Sequence, residues 1–199
     1  MATIGNAPVF PTESVLPGNL EVTGNATISG SSATVNGDEV RTVGTSGAIL
    51  QVVQATTNTT VSITTSTYTD TTLSASITPT SSSNKILVIV GQHFQNGRTG
   101  GHQGFGLRIL RDSTVVWEPV NDSTGPFLVY TVDESQHYGF MTLHYLDSPA
   151  TTSSVTYKTQ GRPYYNSSAS SGFLNFQSTG SGGTVSNTDS LITLMEVVA

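Results

Sequence analysis

Arg162, Tyr164, Tyr165 and Asn166 stand in one short run and combine side chains suited to holding a sugar. Paired tyrosines present apolar faces with polar tips, which match the CH face of a pyranose and its hydroxyls. Arginine adds planar donors for a carboxylate or phosphate. Asn96, Arg98 and His102 form a second polar set of similar character. Both sets lie in long polar stretches, QNGRTGGHQG (95–104) and QGRPYYNSSASSG (160–172), and a third such stretch, EPVNDSTGPF, covers 118–127. All three exceed what a hairpin needs. Their Tyr, Ser, Gly and Asn content is that of adaptable binding surfaces; ordinary solvated loops are the plain alternative.

Catalytic chemistry finds less support. There is no cysteine nucleophile, and neither Gly-x-Ser-x-Gly, a P-loop nor His-Glu-x-x-His occurs. The adjacent carboxylates are Asp38-Glu39 and Asp133-Glu134. Glycosidic cleavage needs two carboxyl groups flanking one bond, whereas neighbours on a strand point to opposite faces. His93, His102, His137 and His144 lack ligand spacing, although a threefold assembly could gather three copies of one of them. Asn-x-Ser/Thr triplets at Asn25, Asn58, Asn121 and Asn166 are what chance produces in so Ser/Thr-rich a chain. The expectation is a binding or structural protein: no enzyme, no cofactor and no metal.

The elements that must position such residues are strands. Thr60–Thr64 and Leu73–Ile77 alternate in period two, as a half-buried strand does. Lys85–Val90 is apolar on both faces and predicts a strand covered on both sides. Phe105–Leu110, a turn at Arg111-Asp112-Ser113, and Thr114–Trp117 follow. Further strands are expected over 48–53, 127–132, 136–146, 154–159, 172–176 and 191–198. No stretch sustains a 3.6-residue period, so many short strands predict a sandwich or jelly roll over 46–199. Gly139–Tyr145 puts Phe140, Thr142 and His144 on one face and Met141, Leu143 and Tyr145 on the other. Such a two-sided strand suits either a position between its own core and a neighbouring subunit or the centre of a sandwich.

Upstream the pattern changes. Residues 1–19 hold Pro8, Pro11 and Pro17, which rule out helix and central strand. This predicts an extended attachment arm with Val9 and Phe10 as its apolar handles. Residues 20–45 repeat a β-branched residue two before a glycine, at Val22, Ile28 and Val35. Single apolar residues make no core in one chain, but three chains could turn them toward a common axis, with Gly24, Gly30 and Gly37 allowing tight turns. This predicts a short intertwined trimeric β shaft.

Composition narrows the partners. Charged residues make up 10% of the 199, against about 25% in typical domains, and Ser and Thr fill the gap at roughly 30%. The net charge is −6 with no basic run, which argues against phosphate neutralisation and hence nucleic acid. No apolar run approaches the ~20 residues of a membrane helix. Without cysteine no disulfide can form. The first residues, MATIGNAPVFPTESVLPGN, carry neither a positive n-region nor an apolar h-region, so no signal peptide is expected.

Four spaced segments, ITPTSSSNKILVIV (77–90), LRILRDSTVVW (107–117), LDSPATTSSVTYKTQGR (146–162) and SLITLMEVV (190–198), resemble the C-terminal domains of bacteriophage tail fibres and related virion proteins, as found in marine and cyanobacterial phages. The stretch VTGNATISG with ATVNG resembles the glycine-punctuated shaft repeats upstream of such tips. The resemblance implies a homotrimeric fibre or spike, all-β, with a shaft and a jelly-roll head over 46–199. It implies attachment to another virion protein through the arm, and contact with a host surface glycan or protein through the head. A virion protein also reconciles an outward-looking surface with the lack of an export signal: it assembles in the host cytoplasm and meets the exterior after lysis. A capsid head fibre or decoration trimer and a cell-surface lectin or adhesin module are the alternatives.

Overall fold

The structure is a computed structural model that describes residues 34–35, 38–39, 46–65, 67–98, 105–119, 137–163, 170–177 and 186–199. The chain divides into two units, 1–43 and 44–199. In the first, β1 (Thr34–Val35) pairs antiparallel with β2 (Asp38–Glu39), on either side of the Asn36-Gly37 dipeptide that favours tight hairpins. Val35 stands in β1; Val9, Phe10, Val22 and Ile28 lie outside the described residues.

The second unit is all-β, with no helix among the described residues. Its strands are β3 (Ile49–Thr57), β4 (Val61–Ile63), β5 (Thr69–Ile77), β6 (Lys85–Arg98), β7 (Phe105–Arg111), β8 (Thr114–Trp117), β9 (His137–Asp147), β10 (Val155–Pro163), β11 (Ser170–Leu174), β12 (Phe176–Gln177), β13 (Ser186–Asn187) and β14 (Ser190–Val197). One antiparallel sheet runs β5-β10-β7-β8. The other runs β3-β14-β6-β11-β4, with β9 on the far edge of β6. A two-residue ladder joins β12 to β13.

Alternation decides what is buried. In β5, Thr71, Leu73, Ala75 and Ile77 point inward while Thr72, Ser74 and Ser76 face solvent. Leu107 and Ile109 of β7, Tyr157 of β10, Val88 and Val90 of β6 and Ile192 and Leu194 of β14 close the core between the sheets. Phe94 and Phe105 stack across it with centroids 5.6 Å apart. At one end, Asp147 of β9 accepts hydrogen bonds from the buried Tyr157 hydroxyl (2.7 Å) and from Arg111 Nη1, tying the sheets together. Burial and the neighbouring carboxylate push the Tyr157 hydroxyl far above its usual pKa, so it stays a donor.

Strand β6 changes partner part-way. β14 covers one edge as far as Gly91, and β11 takes over from Phe94. The backbone of His93 falls in the gap. Ser190 Oγ accepts from its N–H (2.9 Å) and the Asn175 N–H donates to its carbonyl (3.2 Å), so neither group is left unpaired. Around them a buried polar chain crosses the core. Gln92 Nε2 donates to Asn175 Oδ1 and Ser190 Oγ, both at 2.8 Å, and Gln92 Oε1 accepts from Thr159 Oγ1, itself bonded to Thr71.

One expectation needs correction. The polar stretches 95–104 and 160–172 are not loops throughout: β6 runs on through Arg98, and β10 and β11 claim 160–163 and 170–172. Pairing with β9 and β11 along one ladder outweighs the low strand propensity of Asn96 and Gly97. Strand β9 pairs with β6, its one partner among the described residues, and the strand expected over 127–132 lies outside them. On β6, Val88 and Val90 are buried in the core while Leu87 and Ile89, on the opposite face, are half-buried.

Close packing makes one glycine testable. A Cβ on Gly161 would lie 2.6 Å from Cζ of Phe105, whose ring is fully buried and cannot swing aside. Gly161→Ala is expected to cost about 2 kcal/mol by overpacking. Gly91→Ala is expected to cost less, because the obstructing atoms are the far end of the Phe140 ring, which is 52% exposed within one chain. Thermal melts of the two variants check the contrast.

Candidate functional site

The outward face of the four-stranded sheet carries a row of polar side chains set by strand register. Gln160 of β10 lies opposite Asp70 of β5 on one side and Arg108 of β7 on the other. Its Nε2 donates to Asp70 Oδ1 (2.6 Å), and its Oε1 accepts from Arg108 Nε (2.9 Å) and Nη2 (2.6 Å). A carboxylate on one side and a guanidinium on the other fix the amide's orientation. Lys158 Nζ donates to Asp70 Oδ2 (2.9 Å), and Arg108 Nη1 reaches Glu118 at 3.5 Å.

A bulge makes this row possible. Between Lys158 and Gln160, β5 advances from Ser74 to Asp70, so it carries extra residues that β10 lacks. Thr72 within it adopts φ 68°, a conformation β-branched residues rarely take. Its hydroxyl bonds that of Thr57 at 3.0 Å. The bulge leaves Asp70 facing Gln160 and sets Tyr68 just before the Thr69↔Gly161 pair, beside Arg162.

Two guanidinium groups then meet one ring. Arg108 Cζ lies 4.2 Å and Arg162 Cζ 4.8 Å from the centroid of Tyr68, both within cation–π range. Burial raises the Tyr68 pKa against the opposing pull of Arg162 and Arg108. Burial acts against ionisation of Asp70 too, but hydrogen bonds from Lys158 and Gln160 outweigh it and hold that carboxyl below its usual value. Among the described residues, Arg108, Arg162 and Lys158 gather beside Asp70 and Glu118. Taken singly, such partly exposed ion pairs add little stability; linked through Gln160 they hold the side chains in place. Chemically the cluster offers an aromatic surface flanked by planar cationic donors, the combination that recognises an anionic sugar or another carboxylate or phosphate. Among the described residues no three His, Asp or Glu gather as metal ligands.

The cluster sits at a particular end. The Gly47 N–H donates to the Val198 carbonyl and the Val198 N–H to Ala48, both at 2.9 Å, so the unit's first and last residues lie side by side. The short connections 78–84, 112–113 and 148–154 join strand ends on that near side. β6 ends, β7 begins, β8 ends and β10 ends on the opposite, far side. These strand ends flank 99–104, 120–136 and 164–169. Arg162 is there, on β10. Asn96 and Arg98 stand in β6, paired with β9 and β11, and their side chains, like Tyr164, Tyr165, Asn166 and His102, lie outside the described residues.

Tyr68, Arg108, Gln160 and Asp70 escaped the sequence reading. Tyr68 had one available signal, for besides Phe10 no other aromatic precedes residue 94. Comparison with protein-family models finds no match, and comparison with curated proteins finds none either.

Proposed function

We propose that this chain is a structural fibre or spike protein of a bacteriophage virion, a tail-fibre-like homotrimer whose far end contacts the host surface. The observation that carries the reading is the pair of guanidinium groups, Arg108 and Arg162, over the Tyr68 ring, at the end of the sandwich remote from the Gly47–Val198 contact. A tethered protein that must touch something else needs its recognition chemistry there. The ligand class is a surface glycan bearing carboxylate or phosphate. The sparsely charged, Ser/Thr-rich composition and acidic balance fit a particle that stays soluble and binds through one local cluster of aromatic and guanidinium groups. Three copies on one fibre turn weak single contacts into useful avidity. The arm over 1–19, with Val9 and Phe10, anchors the trimer in another virion protein, and the jelly-roll topology and intertwined shaft belong to this proposal.

The test is binding of the full chain to polygalacturonate and to its carboxyl-reduced, neutral counterpart. The wild type is expected to prefer the anionic polymer, and Tyr68→Ala with Arg162→Ala to weaken that binding about tenfold or more, the worth of one charge-assisted hydrogen bond. Tyr68 is half-buried, so its truncation also costs some stability, and binding is compared well below the melting temperature of both forms. Equal binding of both polymers, or undiminished binding by the double variant, would remove the site and favour a capsid-decorating trimer.

A further inference from the structure

The two sheets of the sandwich present opposite outer faces. The four-stranded sheet shows solvent Asp70, Thr72, Ser74, Ser76, Lys158 and Gln160. The six-stranded sheet does not follow that rule. Its register aligns Val52 of β3, Met195 of β14, Leu87 of β6 and Leu146 of β9 in one unbroken cross-strand row. Val52 is 56% and Leu146 46% exposed within this chain, and Phe140 further along β9 is 52% exposed. The adjacent row, Gln54, Thr193, Ile89 and His144, contains no carboxylate. One sheet is thus solvated by hydroxyls and charges, whereas the other carries an apolar row with exposed ends beside a row free of carboxylates, the kind of surface that marks a contact.

We infer that the outer face of the six-stranded sheet packs against the same face of other copies of this chain around the assembly axis. Charge selects this occupant. At net −6, identical bodies repel unless they meet where carboxylates are missing, and the two rows are such a surface. Size agrees. Four strands at ~4.8 Å spacing and about six residues at ~3.3 Å rise give about 400 Å² in projection. That is about half the ~800 Å² per partner of a stable complex, too little to hold free monomers but enough for copies already tethered through residues 20–45 at high effective concentration. The inference rests on the trimer reading and adds to it the surface that the heads share.

The chain has no cysteine, so single-cysteine variants of the full chain report cleanly. Val52→Cys, Leu146→Cys and, as control on the polar sheet, Ser74→Cys are labelled with a maleimide while light scattering gives the mass. Within one copy all three sites are exposed. The expected result is a trimer in which positions 52 and 146 react about tenfold more slowly than 74, as for a surface open about a tenth of the time. A trimer labelled equally at all three positions overturns the shared face and leaves the trimer standing. A protected dimer keeps the face and removes the trimer. A monomer removes both: with equal labelling nothing covers the face, and with protection the cover is a segment of the same chain.

Discussion

Asn175→Ala is expected to lower folding stability by about 4 kcal/mol, roughly a thousandfold in the folding equilibrium. Asn175 is fully buried just after β11, and its side chain uses both ends. Nδ2 donates to the carbonyls of Thr59 (2.7 Å) and Thr71 (3.4 Å), while Oδ1 accepts from Gln92 Nε2 (2.8 Å) and Ser190 Oγ (2.5 Å). Truncation strands two buried donors and two carbonyls, at about 1–3 kcal/mol for each group left unsatisfied. The backbone adds to the loss. Asn175 sits at φ 57°, where alanine is about 1 kcal/mol worse and asparagine is tolerated. Asn175→Gly should recover only that last part. Urea titration is the measurement, with the midpoint falling and the slope unchanged. A loss under about 1 kcal/mol would mean that water replaces the amide and that the network is not what fixes the β14-to-β11 exchange along β6.

Glu196→Gln is expected to cost about 3 kcal/mol at neutral pH and almost nothing near pH 2. The Glu196 carboxylate is buried without a cation among its hydrogen-bond partners. Burial opposes its charge, but it accepts from Asn84 Nδ2 (2.7 Å), Gln51 Nε2 (2.6 Å), Thr80 Oγ1 (2.8 Å) and Thr80 N (2.7 Å), and these donors bring its pKa down to about 2 from 4.5. A folded-state pKa below the unfolded one stabilises the fold fully above the unfolded value. That contribution disappears as pH falls from 4.5 toward 2. At about 1.4 kcal/mol per pKa unit, it amounts to about 3 kcal/mol. Glutamine keeps the shape but turns an NH2 toward a donor, so the variant should lack this acid-dependent loss. Asp70 is also held below its usual value, but it is exposed and contributes little. Parallel wild-type and variant stabilities across pH 2–5 would refute the assignment.

The legible part of this fold was its alternation. Thr69–Ile77 and Phe105–Arg111 announce their inward residues by period two, and Asp112 at φ 54° supplies the turn that Arg111-Asp112-Ser113 suggested. Illegible were the residues whose role depends on distant partners. Gln92, Asn175 and Ser190 look like solvated residues in a Ser/Thr-rich chain, yet they form a buried chain because β6 exchanges β14 for β11 at His93. Strand β6 outran its apolar run because β9 supplies a continuous ladder as far as Asn96. Of the site, Arg162 was visible through its composition-rich neighbourhood. Tyr68 and Arg108 were not, since 94 and 54 residues separate them from Arg162 and only the β5-β10-β7 register brings the three together.

The side-by-side placement of Gly47 and Val198 has a mechanical meaning. Tension entering at Gly47 and resisted at the far strand ends runs along β3, whose hydrogen bonds to β14 lie across that direction. The pairs from Thr57↔Ser190 to Val52↔Met195 then carry the load together, in shear, and must fail together. The same tension applied between Gly47 and Ala199 would peel the ladder open one pair at a time, starting from the Gly47–Val198 bond. A pull from the far end therefore meets the stiff direction of the sandwich, and a pull between its own chain ends meets the soft one.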